Sequence, residues 1–437
     1  MEASRMSSPP VPTAVGGLVA FGFGTTVAMW ALGYLGRLPA VQLPSPLLLA
    51  LLLGCLFVGG VLLAREFPGG WRAGAQVGLI CGTVNLLVLG SFLGGQRPDR
   101  IVPSALWWIP GSIALSAACV SAGAALGTRW ARRTTPDRDW NGALVRVAVA
   151  ATLLLLGVGG VVTSAGAGLA VTDWPRSFGY NMFLYPFSRM TGDIYYEHAH
   201  RLFGALVGLT TLVMAISLQR LERRAWVRRL GWLALGMVIV QGVLGGLRVT
   251  GRLTLSASAE SMAPNLALAL VHGVFAQLFF ATLVALAVFT SRGWRQAGEP
   301  LFRPSARVDR ALALALVLLL LGQLLLGAAQ RHFQQLLVFH VVLGVAFVAP
   351  LAVNLGIRSW SLNRGRKVLQ RVGLALLAAI CFQLLLGFGA FAVLDSPGNL
   401  AVRTAHQWFG AVVLALAVML SCWSFRLLAP TRAQPDG

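Results

Sequence analysis

The chain contains twelve apolar runs, each long enough to cross a lipid bilayer as a helix. A spanning helix needs about 20 predominantly apolar residues. The composition agrees, because 57% of the 437 residues are hydrophobic and only 11% are charged. We therefore expect an all-α polytopic membrane protein of about twelve transmembrane helices. The predicted helices cover residues 13–36, 46–64, 73–95, 105–127, 144–168, 200–218, 228–248, 265–290, 308–328, 335–356, 370–393 and 404–427.

Basic residues predict the orientation of these helices. A formal charge of +21 would suggest nucleic acid in a soluble protein, but here the arginines lie in short loops between apolar runs. Cytoplasmic loops of membrane proteins carry the excess of Lys and Arg. The richest loops precede the fifth helix and follow the sixth, eighth and tenth. We therefore expect both termini in the cytoplasm, a lipid bilayer as the surroundings and no nucleic-acid partner.

One polar connector, residues 129–141, divides the chain into four helices and then eight. We predict an accessory N-terminal four-helix region over 1–128 and a basic cytoplasmic linker over 129–141. Two four-helix halves follow, over 142–290 and 308–437, with a second cytoplasmic linker at 291–307. The first region contains no histidine and lacks the clustered aspartates of a prenyltransferase. An accessory or assembly module is the expectation that remains for it.

Four histidines of the C-terminal eight helices share one pattern, in which a small residue follows four positions later and an apolar run continues. Polar and ionisable side chains within membrane helices are costly and mark functional sites. A single histidine is more often a hydrogen-bonded packing residue, but four in one frame favour ligands. The pairs are His200/Gly204, His272/Ala276, His340/Gly344 and His406/Gly410.

A second pattern alternates with the first. Three other helices carry Gln-x-x-x-Gly, and a fourth has leucine in place of glutamine. A helix of this kind followed by a histidine helix forms a unit that occurs four times. This repetition predicts two similar halves with one histidine pair each. Spaced glycines are also common in ordinary helix packing, and that alternative stays open here. The pairs are Leu153/Gly157, Gln241/Gly245, Gln323/Gly327 and Gln383/Gly387.

Paired histidines on the helices of a bundle suit heme. A heme inside a four-helix bundle takes an axial imidazole from each of two helices and needs small residues beside the macrocycle. Positions i and i+4 share a helix face, so a small residue there leaves space beside the ligand. The two other histidines, His198 and His332, are expected at the membrane interface, with His332 in a short loop.

Glu197 lies three residues before His200, on the same helix face. It is either a solvated interfacial residue or an acid above a heme, where partial burial would suit it to proton handling. Arg201 is either an interfacial anchor or a partner for a heme propionate. The long loop over about 169–196 contains Tyr180 and Tyr185, so we expect it to be structured, as an aromatic belt or as a lid.

These residues resemble a known family. The sequence Gly-Leu-Ala-Val-Thr-Asp-Trp-Pro at 168–175, followed by Glu-His-Ala-His-Arg-Leu at 197–202, is similar to the heme A synthase family, over about 142–427. Members convert heme O to heme A for cytochrome oxidase. Loop charge places the four repeated histidines near the outer ends of their helices, so we expect a multi-pass protein of the bacterial cell (inner) membrane with its heme sites toward the outer side.

The resemblance also implies roles for individual residues. His200 and His272 would hold the iron of the substrate heme O, and His340 and His406 that of a heme b. Glu197 would be the catalytic acid. Two hydroxylations of the methyl group at ring position 8 would give a diol that loses water to form the formyl group. Molecular oxygen and an external electron donor would be consumed, and heme O farnesyltransferase and cytochrome oxidase assembly factors are possible partners.

Two features depart from the family pattern. Many bacterial members have a cysteine pair in the outer loops, which this chain lacks, and residues 1–128 have no counterpart. Two other functions also fit part of the sequence. A bis-histidine cytochrome b that only carries electrons explains the histidines but not Glu197. A heme-free multi-helix transporter matches the helix number, but transporters typically have substrate sites near the bilayer midplane.

Overall fold

The structure is a computed structural model that describes residues 11–67, 69–95, 97–130, 140–251, 265–393 and 398–430. Within these ranges the chain is almost wholly helical. Twelve helices are long and apolar enough to cross a membrane. The protein is therefore an all-α polytopic membrane protein, as the sequence predicts.

The helices follow one another with mostly short connections. In chain order they are α1 (Val11–Arg37), α2 (Ser45–Glu66), α3 (Gly70–Leu93), α4 (Ala105–Gly127), α5 (Trp140–Ala165), α6 (Gly192–Leu221), α7 (Ala225–Val249), α8 (Leu266–Phe289), the short α9 (Arg292–Arg295), α10 (Ala306–Phe333), α11 (Leu337–Val342), α12 (Ala349–Leu362), α13 (Lys367–Ala392) and α14 (Asn399–Leu427). A π-helical turn, Leu343–Val348, joins α11 to α12, so the span Leu337–Leu362 is continuous.

Helix α6 begins earlier than the sequence predicts. Apolar content alone starts it at residue 200, whereas the helix begins at Gly192. Thr191 is extended and Gly192 has a φ of +53°, which ends the loop, and Asp193 in the first turn suits the positive end of the helix dipole. The polar residues 193–198 are therefore helical. Helix α10 likewise runs on to Phe333, so His332 lies in its last turn and not in a loop.

The chain packs as two compact units. The first comprises the described residues of Met1–Ala151 and Arg176–Trp232. Here α3 and α2 pack on α4, α1 packs on α2 and α3, and α6 contacts α1 and α3. Leu56, Leu63, Val77 and Val120 form its apolar core. Close helix packing depends on small residues, as is usual within membranes: a Cβ on Gly60 would overlap the carbonyl oxygen of Val120.

The first unit also includes an ordered segment before α6. Two short antiparallel strands, β1 (Arg176–Ser177) and β2 (Tyr180–Asn181), form a ribbon. Two 3₁₀ turns, Met182–Leu184 and Phe187–Arg189, follow. This part of the long loop is structured, as expected.

The second unit comprises the described residues of Thr152–Pro175 and Leu233–Gly437. Helix α12 packs on α13, α13 on α14 and α14 on α10, and α10 contacts α11 and α12, which closes a four-helix bundle. Helix α8 contacts α10 and α14. Two short parallel strands, β3 (Leu301–Phe302) and β4 (Leu428–Ala429), pair beside this bundle. Buried Asp309 near the start of α10 forms ion pairs with Arg303 and Arg358.

The predicted linker over 129–141 falls largely on residues 131–139, which lie outside the described residues. The division of the chain into an accessory region and two halves concerns function and ancestry, so it stays a prediction.

Candidate functional site

All four repeated histidines lie within about the first three turns of their helices. His200 is in α6, His272 in α8, His340 in α11 and His406 in α14. They occur on every second long helix, as the sequence pattern predicts. We describe the second unit first, because it contains three of them.

His340 and His406 face each other. Their ring centroids are 6.2 Å apart, and the ring planes are at 85°. A metal ion lies about 2 Å from a coordinating imidazole nitrogen and the ring centre about 1 Å further away, so two rings that share a metal are about 6 Å apart. Among the described residues, no group of three or more His, Cys, Asp or Glu could hold a bare ion. The spacing of the two rings suits a shared metal.

A glutamine on the preceding helix holds His340. The Nε2 of Gln323 donates a hydrogen bond to the backbone carbonyl of His340 (2.9 Å) and lies 3.1 Å from its Nδ1. The backbone carbonyl oxygen of Gln323 is 3.3 Å from the same Nδ1. A carbonyl oxygen can only accept, so this contact needs the proton on Nδ1. Nε2 is then available to a metal, as in metal sites where the ligand histidine donates to a backbone carbonyl.

The same arrangement occurs at two other histidines. The Nε2 of Gln383 donates to the backbone carbonyl of His406 (3.1 Å) and lies 3.2 Å from its Nδ1. The Nε2 of Gln241 donates to the carbonyl of His272 (2.9 Å). We call Gln241, Gln323 and Gln383 the glutamine clamps. Their side chains recognise a histidine on the next histidine helix, which ordinary helix packing does not require.

The buried Oε1 atoms of the three glutamine clamps have no hydrogen-bond partner among the described residues. Buried polar atoms are nearly always hydrogen-bonded, so three matching exceptions call for a physical reason. In each clamp the Nε2 is used as the donor to a histidine carbonyl, and the Oε1 remains an acceptor.

The glycine of each Gln-x-x-x-Gly pattern lies directly against the histidine ring. A Cβ on Gly327 would be 2.9 Å from Cε1 of His340, and one on Gly387 would be 3.1 Å from Cε1 of His406. At Gly245 the corresponding distance to His272 is 3.2 Å. These distances are at or below the lower limit of normal carbon contacts. Glycine therefore sets the position of each ring.

At His340 and His406, the glycine four positions after the histidine has a different role from the one we predicted. A Cβ on Gly344 would lie 2.8 Å from Nε2 of Gln323, and one on Gly410 would lie 3.4 Å from Nε2 of Gln383. At these two positions glycine admits the glutamine side chain. It does not leave space for a macrocycle there.

The fourth Gln/Gly position is occupied differently. The backbone carbonyl of Leu153 accepts a hydrogen bond from the indole Nε1 of Trp408 (2.8 Å). A Cβ on Gly157 would lie 3.2 Å from Cδ1 of the same indole. Leucine cannot form the amide hydrogen bonds of a clamp. His200 is thus the one repeated histidine whose preceding helix carries no glutamine at this position.

In the first unit, Glu197 and Arg201 form a buried ion pair. The Nε of Arg201 lies 3.1 Å from Oε1 of Glu197, and the two side chains are only 8% and 7% exposed. This places Glu197 in a buried environment and not in a solvated one. Arg201 also donates from Nη1 to the backbone carbonyl of Arg176 in β1 (3.0 Å). The pair joins one face of α6 to the loop.

Helix α6 carries an open strip beside His200. Residues at i, i+4 and i+8 share a helix face, so His200, Gly204 and Gly208 form one row. A Cβ on either glycine would meet none of the described atoms within 4 Å. Glu197, one turn before His200, lies on the same face. This face combines an imidazole, an acid and space for a flat ligand.

His198 is buried beneath the loop. Its relative exposure is 0%, its Nδ1 is 3.2 Å from the Ser177 hydroxyl, and its ring centroid is 5.0 Å from that of Tyr185. The earlier start of α6 and the β1–β2 ribbon over it explain this burial. His198 therefore connects the helix to the loop.

The Gly-Leu-Ala-Val-Thr-Asp-Trp-Pro motif packs on α7 in the second unit. The indole of Trp174 lies so close to Gly246 that a Cβ there would overlap it. Gly168 lies beside the guanidinium of Arg248, which would be 2.5 Å from a Cβ. Gly246 is thus the position on α7 against which the motif's tryptophan packs.

A protein-family model, COX15-CtaA, described as cytochrome oxidase assembly protein, matches residues 180–343. Over this span, the chain matches the heme A synthase family. No protein with a curated description matches the chain. The family match supports a role in cytochrome oxidase assembly and relates the chain to the heme A synthases.

The span that matches the heme A synthase family contains most of the candidate residues. It includes Glu197, His200, Arg201, His272 and His340, and it ends before His406. It also includes Gln241 and Gln323. The ion pair of Glu197 and Arg201 and the glutamine clamps were not predicted from the sequence. The alternation of Gln-x-x-x-Gly with the histidine helices was the available signal for the clamps.

Proposed function

We propose that the protein is a heme A synthase, which oxidises the ring-position-8 methyl of heme O to a formyl group by successive hydroxylations. The observation that carries the proposal is the burial of Glu197, one helical turn before His200, in the span that matches the family. A carrier of electrons alone has no use for a buried acid at this position. Buried acids beside a reacting group are typical of proton handling.

His340 and His406 are proposed to hold heme b. Their rings have a spacing that suits a shared iron, and the backbone carbonyl of Gln323 favours the His340 tautomer whose Nε2 is available. Gly327 and Gly387 keep the two rings in place. The chain's contribution here is to fix two imidazoles before a cofactor binds, so that little ordering is required on binding.

His200 and His272 are proposed to hold the iron of heme O. His272 has a glutamine clamp, whereas the helix before His200 carries Leu153 at the corresponding position. The open row of Gly204 and Gly208 would receive the macrocycle. This open row supports assigning the exchanging heme to the His200 helix.

Heme iron, when bound, supplies oxygen activation and electron transfer. Glu197 would deliver or accept the protons that accompany hydroxylation and loss of water. Arg201 holds its carboxylate in one position. Because Arg201 already pairs with Glu197, we assign it to positioning this acid before any role with a heme propionate.

The proposal implies molecular oxygen and an external electron donor as co-substrates. Heme O farnesyltransferase and cytochrome oxidase assembly factors are the proposed partners, since heme A is destined for the oxidase. We place the protein in the bacterial inner membrane with both termini cytoplasmic and the heme sites toward the outer side, on the basis of loop charge.

The proposal is tested by the hemes that the protein contains. The full chain is purified from cells that supply heme O, and its non-covalent hemes are separated by chromatography with mass detection. We expect heme A or its hydroxylated precursor beside heme B. Heme B alone, despite available heme O, would replace the proposal with an electron-transfer cytochrome b. The facing rings of His340 and His406 would serve that alternative equally well.

A further inference from the structure

In the first unit, residues 1–128 contact the segment 176–191. At the end of α3, a Cβ on Gly90 would overlap the carbonyl oxygen of Phe183, and one on Gly94 would overlap that of Leu184. The backbone of the Met182–Leu184 turn therefore lies directly on α3. Only glycine permits so close an approach at these two positions.

Asp99, in the connection between α3 and α4, binds the same segment. Its Oδ1 accepts the backbone N–H of Asn181 (2.7 Å), and its Oδ2 lies 3.3 Å from the guanidinium of Arg176. The side chains of Asp99 and Arg176 are half exposed, so the ion pair itself contributes little. The hydrogen bond from a backbone N–H to a carboxylate is the stronger contact. It fixes the β1–β2 ribbon at its second strand.

Aromatic side chains extend the contact. Phe92 at the end of α3 stacks on Phe187, with ring centroids 4.6 Å apart. On α1, the ring of Tyr34 stacks on that of Tyr195, with centroids 5.7 Å apart. The Tyr195 hydroxyl donates a hydrogen bond to the backbone carbonyl of Tyr34 (2.9 Å). Tyr195 belongs to the first turns of α6. The N-terminal helices thus contact both the segment and the helix that carries Glu197.

The segment in turn contacts the candidate catalytic acid through Arg201. The carbonyl of Arg176 accepts a hydrogen bond from Nη1 of Arg201, whose Nε pairs with Glu197. The neighbouring Ser177 hydroxyl contacts His198. A displacement of β1 would therefore remove a contact that orients the Arg201 guanidinium.

We propose that residues 1–128 act as a scaffold for the segment 176–191, with Gly90 and Asp99 as positioning residues for the Arg201–Glu197 pair. The N-terminal region would then order the part of the site that acts on substrate, without itself touching a heme. The inference about the acid's activity rests on the proposed function. The inference about the order of the segment does not.

The test measures hydrogen–deuterium exchange of the purified full chain in lipid nanodiscs, without added heme O. Three variants are compared with the natural chain: Gly90→Ala, Asp99→Ala and Asp99→Asn. The matched control is Gly54→Ala, a glycine inside α2 whose added Cβ would meet no described atom within 4 Å. Heme A content is measured separately in cells that supply heme O.

We expect peptides within 176–191 to exchange about tenfold faster in Gly90→Ala and Asp99→Ala, because local opening becomes easier. Peptides of α10 to α14 should be unchanged, as should the whole Gly54→Ala control. Asp99→Asn retains an oxygen that accepts the Asn181 N–H, so it should restore most of the protection. Heme A content should fall with the loss of protection and recover in Asp99→Asn.

Other results separate the two ideas. Unchanged exchange of 176–191 in both Gly90→Ala and Asp99→Ala would overturn the scaffold. Faster exchange with normal heme A content would overturn the positioning of the acid but leave the proposed function intact. Faster exchange in a protein whose natural chain forms no heme A would support the scaffold and overturn the proposed function.

Discussion

The bundle of α10 to α14 and the start of α6 carry repeated histidines in different surroundings. In the bundle, His340 and His406 are each held by a glutamine clamp and a glycine beneath the ring. On α6, His200 is preceded by the buried Glu197–Arg201 pair and followed by glycines that face open space. One region fixes its imidazoles tightly, and the other combines an acid with room for a ligand.

Under the proposed function, this difference separates a site that keeps its cofactor from a site that exchanges its substrate. A cofactor that stays in place benefits from ligands whose orientation is fixed by neighbouring hydrogen bonds. A substrate that must be exchanged benefits from an open surface. Acid–base groups are needed only where bonds to hydrogen are broken. The repeated histidine pattern can therefore serve both a cofactor that stays in place and a substrate that is exchanged. The residues around each histidine determine which of the two it suits.

The largest effect should come from Glu197→Gln. The amide retains the shape of the side chain but cannot exchange protons, so heme A formation should fall by about 100-fold or more. Heme B content should be unchanged, because the proposed ligands of heme b lie on other helices. Extraction of hemes followed by chromatography measures both quantities.

The control for this variant is Asp193→Asn, which removes an exposed acid from the first turn of the same helix. It should form heme A at the normal level. Normal heme A formation by Glu197→Gln would show that the acid on α6 is not needed for the reaction, which is the main difference between the two regions.

Gln383→Leu tests the glutamine clamps. Loss of a group that orients a metal ligand typically weakens binding about 10–100-fold, so we expect heme b to leave correspondingly faster. The rate of heme transfer from the purified protein to an excess of apoglobin measures this. Gln370→Leu, on the same helix but paired with the carbonyl of Trp360, is the control. Equal rates of heme transfer for the two variants would mean that Gln383 serves only in ordinary helix packing.

Gly327→Ala tests the position of the His340 ring. The new Cβ would approach Cε1 within 2.9 Å, and overpacking of this kind costs about 1–3 kcal/mol. We expect heme b to bind about tenfold more weakly, as that energy implies. Gly322→Ala on the same helix would meet only Leu343 at 3.8 Å and should be neutral. If both variants bind heme b equally, the glycine beneath the ring has no specific role.

The smallest effect is expected for Arg201→Lys. Lysine keeps the positive charge near Glu197 but lacks the planar fork that reaches two partners at once. Heme A formation should fall about threefold to tenfold, less than for Glu197→Gln. Arg220→Lys, at the exposed end of α6, serves as the control. A loss as large as that of Glu197→Gln would mean that Arg201 contacts substrate directly.

The helical framework could be read from the sequence because it depends on local properties. Apolar length predicted twelve spans, and the described residues contain twelve. The repeat of His and a small residue four positions later placed the histidines in the first turns of alternate helices. The start of α6 was missed, because it depends on Thr191 and Gly192 and not on hydropathy.

Contacts between helices could not be read from the sequence. The three clamp glutamines were visible as a pattern, but their partners depend on how neighbouring helices pair. The role of Gly344 and Gly410 was misjudged for the same reason. Asp99 had no signal in the sequence, because its binding partner Asn181 is 82 residues away.

The carboxylate of Asp99 and the glycines of α3 have a consequence for the environment that the protein tolerates. The segment 176–191 contains no cysteine, and its contacts are hydrogen bonds, ring stacking and close backbone packing. None of these contacts is made or broken by thiol exchange. The order that Asp99, Gly90 and Gly94 give to this segment is therefore built from carboxylate, aromatic and backbone groups, without a thiol of the segment itself.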